Sequence, residues 1–186
     1  MKKIILVVGR SASGKSSITR EACNKLHLNL VKSYTTRPAR PKELTGESDH
    51  YFITEEEYEA QKDQFDIVAY TEINGFKYFT TEDILNNSDV YVIDPKGIEY
   101  LKKHCFNKYQ FVTVYIRTSP MAAKARAMSR GDDTSIFKNR IESEDAMFKQ
   151  FEKEMPWQYH ILNDGTFEEA VQKMERILRT ELYIKE

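Results

Sequence analysis

Gly9-Arg10-Ser11-Ala12-Ser13-Gly14-Lys15-Ser16 matches G-x-x-x-x-G-K-[ST] at every position, a spacing suited to holding a polyphosphate. Gly9 and Gly14 allow the backbone angles of a tight loop. Such a loop turns the N–H groups of Ser11, Ala12, Ser13 and the residues through Ser17 toward an anion, and the helix that follows adds its positive end. Lys15 would set a cation against the β- and γ-phosphates, and the Ser16 hydroxyl would be a magnesium ligand. A Gly/Ser-rich turn can contain a lysine by chance. Here an apolar run, Ile4 to Val8, precedes the loop and a helical segment follows it, which is the context the motif requires. The motif implies ATP or another nucleoside triphosphate as a partner and says nothing about an acceptor.

Arg37 and Arg40 form a second group, three residues apart in a stretch stiffened by Pro38 and Pro41. Guanidinium forks grip a phosphate dianion bidentately, although paired arginines taken alone more often mark a solvated surface. Asp94 ends the apolar run Val90 to Ile93, a usual place for a carboxylate that organises magnesium, and equally a helix N-cap. Arg126 and Arg130 lie one helical turn apart and share a face. They could meet phosphates on a closing lid, or form an exposed basic face.

Apolar runs of strand length alternate with segments of helical period, the α/β pattern. The reading places strands at Ile4 to Val8, Tyr51 to Ile53, Val90 to Ile93, Phe111 to Ile116 and His160 to Leu162. Helices are expected over Ser16 to Leu26, Glu55 to Lys62 (opened by Thr54), Ser119 to Ser129, Ser135 to Phe151 and Phe167 to Leu182. Ile67 to Thr71 and Tyr78 to Thr80 read as antiparallel pieces around Asn74-Gly75. Residues 33–80, rich in short strands and turns, look like an insertion into the core.

The chain has 186 residues with 40% hydrophobic and 31% charged, enough for one domain with a hydrophobic core. Net charge is -1, which makes no global case for nucleic acid or membrane. Any phosphate site must therefore concentrate positive charge locally. Cys23 and Cys105 form no C-x-x-C, the four histidines have no metal spacing, and no apolar stretch approaches membrane length. The apolar run near Met1 is too short for a secretory leader. The expected location is cytoplasmic, with no nucleic acid or membrane partner, and the chain a monomer or homodimer.

Ser33-Tyr34-Thr35-Thr36-Arg37-Pro38-Ala39-Arg40-Pro41-Lys42-Glu43, Gly46 and Asp49-His50-Tyr51-Phe52 together resemble the acceptor-binding region of the guanylate kinase family. Asn74-Gly75-Phe76-Lys77-Tyr78 resembles that family's hairpin, Val92-Ile93-Asp94-Pro95-Lys96-Gly97 its second phosphate-site strand, and Arg126, Arg130-Gly131 and Arg140 its arginine-rich lid. Tyr159 to Asp164 resembles its strand ending in Asn-Asp. The similarity covers nearly the whole chain.

The resemblance implies a P-loop NTPase fold with a central parallel sheet: a core over 1–32 and 81–186, a helical lid at about 126–140 and an acceptor-binding insertion over 33–80. It implies magnesium-dependent transfer from ATP to a nucleoside monophosphate, with GMP or dGMP first. Catalytic roles would fall to Lys15, Arg37, Arg126, Arg130 and Arg140. ATP would meet the phosphate loop and Asn163. The acceptor would meet Ser33, Arg37, Arg40, Glu43, His50, Glu72, Tyr78, Thr80 and Asp94, and Ser16 and Asp94 would serve magnesium.

The pattern departs in places. His50 stands where the family has a phosphate-binding tyrosine; beside a phosphate dianion its pKa should rise. Ala69 and Val92 stand where the family has carboxylates that read guanine, and Glu72, three residues after Ala69, is a candidate replacement. The alternatives are a same-fold kinase for another monophosphate or a ribose bisphosphate, a non-catalytic binding module, and a regulator that hydrolyses ATP without an acceptor.

Overall fold

The computed structural model describes residues 1–184 apart from Thr45, Glu47, Phe106, Arg130, Asp132 and Met155. Arg130, expected in the lid, therefore lies outside the described residues. The elements run β1 (Lys2–Gly9), α1 (Lys15–Leu26), β2 (Ser33–Thr35), α2 (Pro41–Leu44), β3 (His50–Phe52), α3 (Glu55–Gln61), β4 (Ile67–Ile73), β5 (Phe76–Thr81) and α4 (Glu82–Asn86). They continue with β6 (Val90–Val92), α5 (Pro95–Cys105), β7 (Tyr109–Arg117), α6 (Pro120–Ser129), α7 (Thr134–Glu154), β8 (Tyr159–Leu162) and α8 (Phe167–Leu182).

β1 carries five consecutive aliphatic residues, Ile4 to Val8, all fully buried, because helices cover both faces of a parallel sheet. The sheet order is β6-β1-β7-β8, with every pairing parallel. Ile4, Leu6 and Val8 pack with Ile98 and Leu101 of α5 and with Phe148 and Phe151 of α7. Ile5 and Val7 pack with Ile18, Ala22 and Cys23 of α1 and with Val171, Met174 and Leu178 of α8. Both cysteines are buried as free thiols, and burial pushes Cys23 up to about 12 and raises Cys105 as well. The chain runs from β1 to β6 on one side and then from β6 across to β7 on the other, so the carboxyl end of β1 lies at a topological switch point, where such sheets hold ligands.

A second sheet, ordered β3-β2-β5-β4, is built from the insertion. Its hairpin turns at Asn74 and Gly75, with φ of 53° and 78°, the left-handed pair that a two-residue hairpin loop needs. Register pairs Ser33 with His50, Thr35 with Tyr78, Thr71 with Tyr78 and Ala69 with Thr80. Side chains alternate between faces, so His50, Ser33, Thr35, Tyr78, Thr80, Ala69 and Thr71 share one face. The opposite face is aromatic: Tyr34 and Phe79 stack there against Phe65 and Tyr58.

Four elements are missing from the sequence reading: β2, the short helices α2 and α4, and α5. Pro95 and Gly97 at the start of α5 look like a turn, but proline suits a first helical position. The Asp94 carboxylate accepts from the Gly97 N–H at 3.0 Å, and Ile98, Leu101 and Cys105 form its buried stripe. β2 is only three residues long and lacks any alternating pattern of its own. No described helix is long and apolar enough to cross a membrane.

Candidate active site

The phosphate loop joins β1 to α1 and is shaped by steric limits as well as by hydrogen bonds. Ala12 and Gly14 have φ of 59° and 85°. A Cβ at Gly9 would stand 2.7 Å from the Ile116 carbonyl, and one at Gly14 would stand 2.6 Å from Asn163 Nδ2. The Ser13 N–H donates to the Arg10 carbonyl at 3.1 Å, and Lys15 Nζ donates to the same carbonyl at 3.4 Å. Asn163 braces the loop from behind. Its Nδ2 donates to the Ser13 carbonyl at 2.8 Å, and its side chain is buried. The sequence reading has Asn163 meeting ATP; here its Nδ2 is bonded to the loop backbone.

Gly9, Lys15 and Ser16 share one cleft of about 360 Å³ with Arg37, Arg40, His50, Tyr78, Asp94, Arg140 and Glu144. The parallel sheet supplies one end and the second sheet the other. At the second-sheet end Glu43 holds the Arg37 guanidinium through two bonds, at 2.9 and 3.0 Å, and accepts from the Arg40 N–H at 2.7 Å. Burial alone would raise the Glu43 carboxyl, but the Arg37 pair and the Arg40 N–H hold it below its usual range. Arg40 is pushed the other way. Burial lowers its pKa, and the positive charges of Arg37 and Arg140 lower it further. Three guanidiniums thus converge, with Glu43 paired to Arg37 and Glu144 to Arg140, a local cluster of positive charge suited to an anion.

His50 Nδ1 lies 2.9 Å from the Ser33 hydroxyl, and its ring meets Tyr78 edge-on. Burial, followed by the Arg37 charge, lowers the imidazole below its ordinary 6.5. The protein by itself therefore favours neutral His50, the reverse of what a neighbouring phosphate would do. Thr71 and Thr80 bring buried hydroxyls to the same face, Thr71 beside the Asp94 carboxyl and Thr80 beside the Tyr91 hydroxyl. Glu72 is corrected. It borders the cleft but pairs with Lys77 in register and is exposed. Its offset of three from Ala69 is odd, so alternation sends its side chain to the aromatic face of Tyr70 and Phe79.

Asp94 does both things its position allows. It caps α5 and lines the cleft, and burial raises its pKa against the pull of the Gly97 and Lys96 N–H groups. Among the described residues no group of three or more His, Cys, Asp or Glu could hold a metal. The Ser16 hydroxyl and the Asp94 carboxylate are hard oxygen donors in one cleft, which fits magnesium, an ion that keeps most of its shell as water and phosphate oxygens.

The lid arginines divide. Arg140 lines the cleft. Arg126 is held at the corner where β8 ends: its guanidinium donates to Thr118 Oγ1 at 2.9 Å and to the Asn163 carbonyl at 2.7 Å.

α7 contributes more than one arginine. Arg10 reaches from the phosphate loop to Asp145 at 2.9 Å and Glu152 at 3.8 Å, and lies over the Phe148 ring at 5.0 Å. One turn along, Glu144 takes the Ser11 N–H at 2.9 Å and the Ser11 hydroxyl at 2.5 Å. The sequence reading passes over Glu144, because Arg140 and Glu144 at i, i+4 read as an ordinary helix-surface ion pair.

Comparison with known proteins bears on the fold and the family. The family model described as guanylate kinase matches residues 1–181. The chain is similar to the guanylate kinase of Syntrophus aciditrophicus, 29% identical over 187 residues, covering 95% of this chain and 86% of that protein. It is 30% identical to the guanylate kinase of Thermotoga maritima, covering 96% and 87%. The crystal structure of guanylate kinase from Anaplasma phagocytophilum superposes with a TM-score of 0.67 at 26% identity, covering 97% of this chain and 86% of that one.

Proposed function

The chain belongs to the guanylate kinase family, and we propose that it moves the terminal phosphoryl group of ATP onto a nucleoside monophosphate, with GMP or dGMP preferred. The observation that carries this reading is the single cleft that joins a complete phosphate loop to the Arg37–Arg40 pair. Donor and acceptor ends face each other there, as in-line transfer requires.

In this reading the loop N–H groups and Lys15 hold the donor phosphates, and Ser16 and Asp94 hold magnesium, which neutralises phosphate charge when bound. Arg37 and Arg40 grip the acceptor phosphate, and Glu43 fixes the Arg37 fork. His50 and Tyr78 complete that end, and Ser33, Thr71 and Thr80 face the base. Arg140 and the lid at about 126–140 close over the phosphates and exclude water. No side-chain base is needed, because an acceptor phosphate oxygen is already an anion. Residues 33–80 act as the acceptor-binding insertion and 1–32 with 81–186 as the core.

Base selectivity should be looser than the family's carboxylates would give. Ala69 and Val92 cannot accept from guanine N1–H and its 2-amino group, and Glu72 faces away. Hydroxyls and Asp94 remain. A charged acceptor contributes roughly 1.5–3 kcal/mol, so discrimination should shrink by about ten- to a hundredfold. The test is kcat/KM for GMP, dGMP, AMP, UMP, CMP and dTMP under one condition. GMP should lead by a modest margin. A lead of many thousandfold would refute the loosened site. No turnover with any of them would refute the nucleotide acceptor, and ATP hydrolysis without acceptor would mark a regulator.

A further inference from the structure

We propose that Glu144 is a built-in competitor for the donor-phosphate site and sets the affinity for the donor nucleotide. The inference rests on reading the phosphate loop as that site. An anion on this loop is held by inward N–H groups. Here the Ser11 N–H already donates to a carboxylate, Glu144 Oε2 at 2.9 Å, and the Ser11 hydroxyl donates to Oε1. A carboxylate carries the same charge sign and acceptor geometry as a phosphate edge, so the two compete for the same donors. The contact is built into the fold. The Glu144 side chain is only 12% exposed. The next residue, Asp145, ties the same helix to Arg10 of the loop, and Phe148 anchors it in the core. Charge-assisted bonds of this kind are the strong ones.

The same carboxylate also holds Arg140, whose Nε donates to Glu144 Oε1 at 3.3 Å. Two consequences follow. Donor phosphates must displace Glu144 before they can use the Ser11 N–H. Once displaced, Glu144 no longer engages Arg140 through Oε1 in this geometry, and that guanidinium turns to the incoming phosphates. Donor binding and arginine recruitment thereby become one event.

The experiment measures binding of ATP, inorganic tripolyphosphate and adenosine to the full chain and to its E144A, E144Q and K15A variants by calorimetry. E144A should tighten ATP and tripolyphosphate by about tenfold or more, since removing a charged competitor returns that free energy to the ligand. Adenosine, which has no phosphate, should bind all the Glu144 variants alike. E144Q keeps the side-chain volume and should tighten both phosphate ligands in the same direction, so it carries the test if E144A does not fold. A purely structural Glu144 would give the opposite sign, with weaker binding in step with lost stability. Unchanged or weaker tripolyphosphate binding in the variants overturns the proposal. Binding that survives K15A undiminished would instead overturn the donor-site reading itself.

Discussion

Gly14 and Asn163 should be thermodynamically coupled, and the cycle G14A, N163A and G14A/N163A measures by how much. Gly14 has a φ of 85°, where an L side chain costs about 1–2 kcal/mol. The new Cβ would also stand 2.6 Å from Asn163 Nδ2, so the amide must move and its 2.8 Å bond to the Ser13 carbonyl is lost. Losing a buried pair costs roughly 1–3 kcal/mol more. G14A alone should therefore cost about 2–5 kcal/mol by the sum of those two effects. In the N163A background only the backbone strain remains, near 1–2 kcal/mol. The coupling, about 1–3 kcal/mol, is read from urea unfolding midpoints and slopes. ATP affinity, measured in parallel, should fall in both single variants, because the brace and the loop shape are one structure. If G14A costs the same with and without Asn163, the bracing argument is wrong.

K15A should lower turnover by about a hundredfold, the usual scale for removing one group that stabilises transition-state charge, with circular dichroism unchanged; near-normal turnover in a pure sample would refute the kinase reading. His50 should report on the acceptor: its pKa lies below 6.5 in the protein alone, so its contribution to stability is complete above 6.5 and is lost as pH falls through 6.5 toward the depressed value. A bound phosphate dianion raises that pKa, so acceptor binding should take up a proton near neutral pH and weaken as pH rises. Calorimetry in buffers of different ionisation enthalpy should show this uptake in the native protein, reduced in H50Y, and identical uptake in both would remove His50 from the site.

Features encoded locally were readable in the chain. The Ile4 to Val8 run and the glycine spacing locate β1, the loop and α1. Thr54 opens α3 with a capping box shared with Glu57, and Asn74-Gly75 turns the hairpin. What could not be read depends on tertiary placement. α5 was obscured because Pro95 and Gly97 are turn residues until Asp94 caps them. Glu72 depends on strand parity, which its nearness to Ala69 in sequence does not reveal. Arg126 and Asn163 share an arginine-and-amide vocabulary with phosphate and base recognition, and only the meeting of α6, β8 and the loop reveals their bracing role. Glu144 could not be found at all from i, i+4 spacing, since its partner Ser11 lies 133 positions away.

The two sealed thiols make the molecule its own stopwatch. Cys23 sits on the helix that launches from the phosphate loop and Cys105 at the far end of α5. With burial suppressing the reactive thiolate of each, an alkylating reagent can reach them only when their surroundings part. Their two labelling rates would therefore clock the opening of opposite flanks of the same sheet, without any probe having to be engineered into the chain.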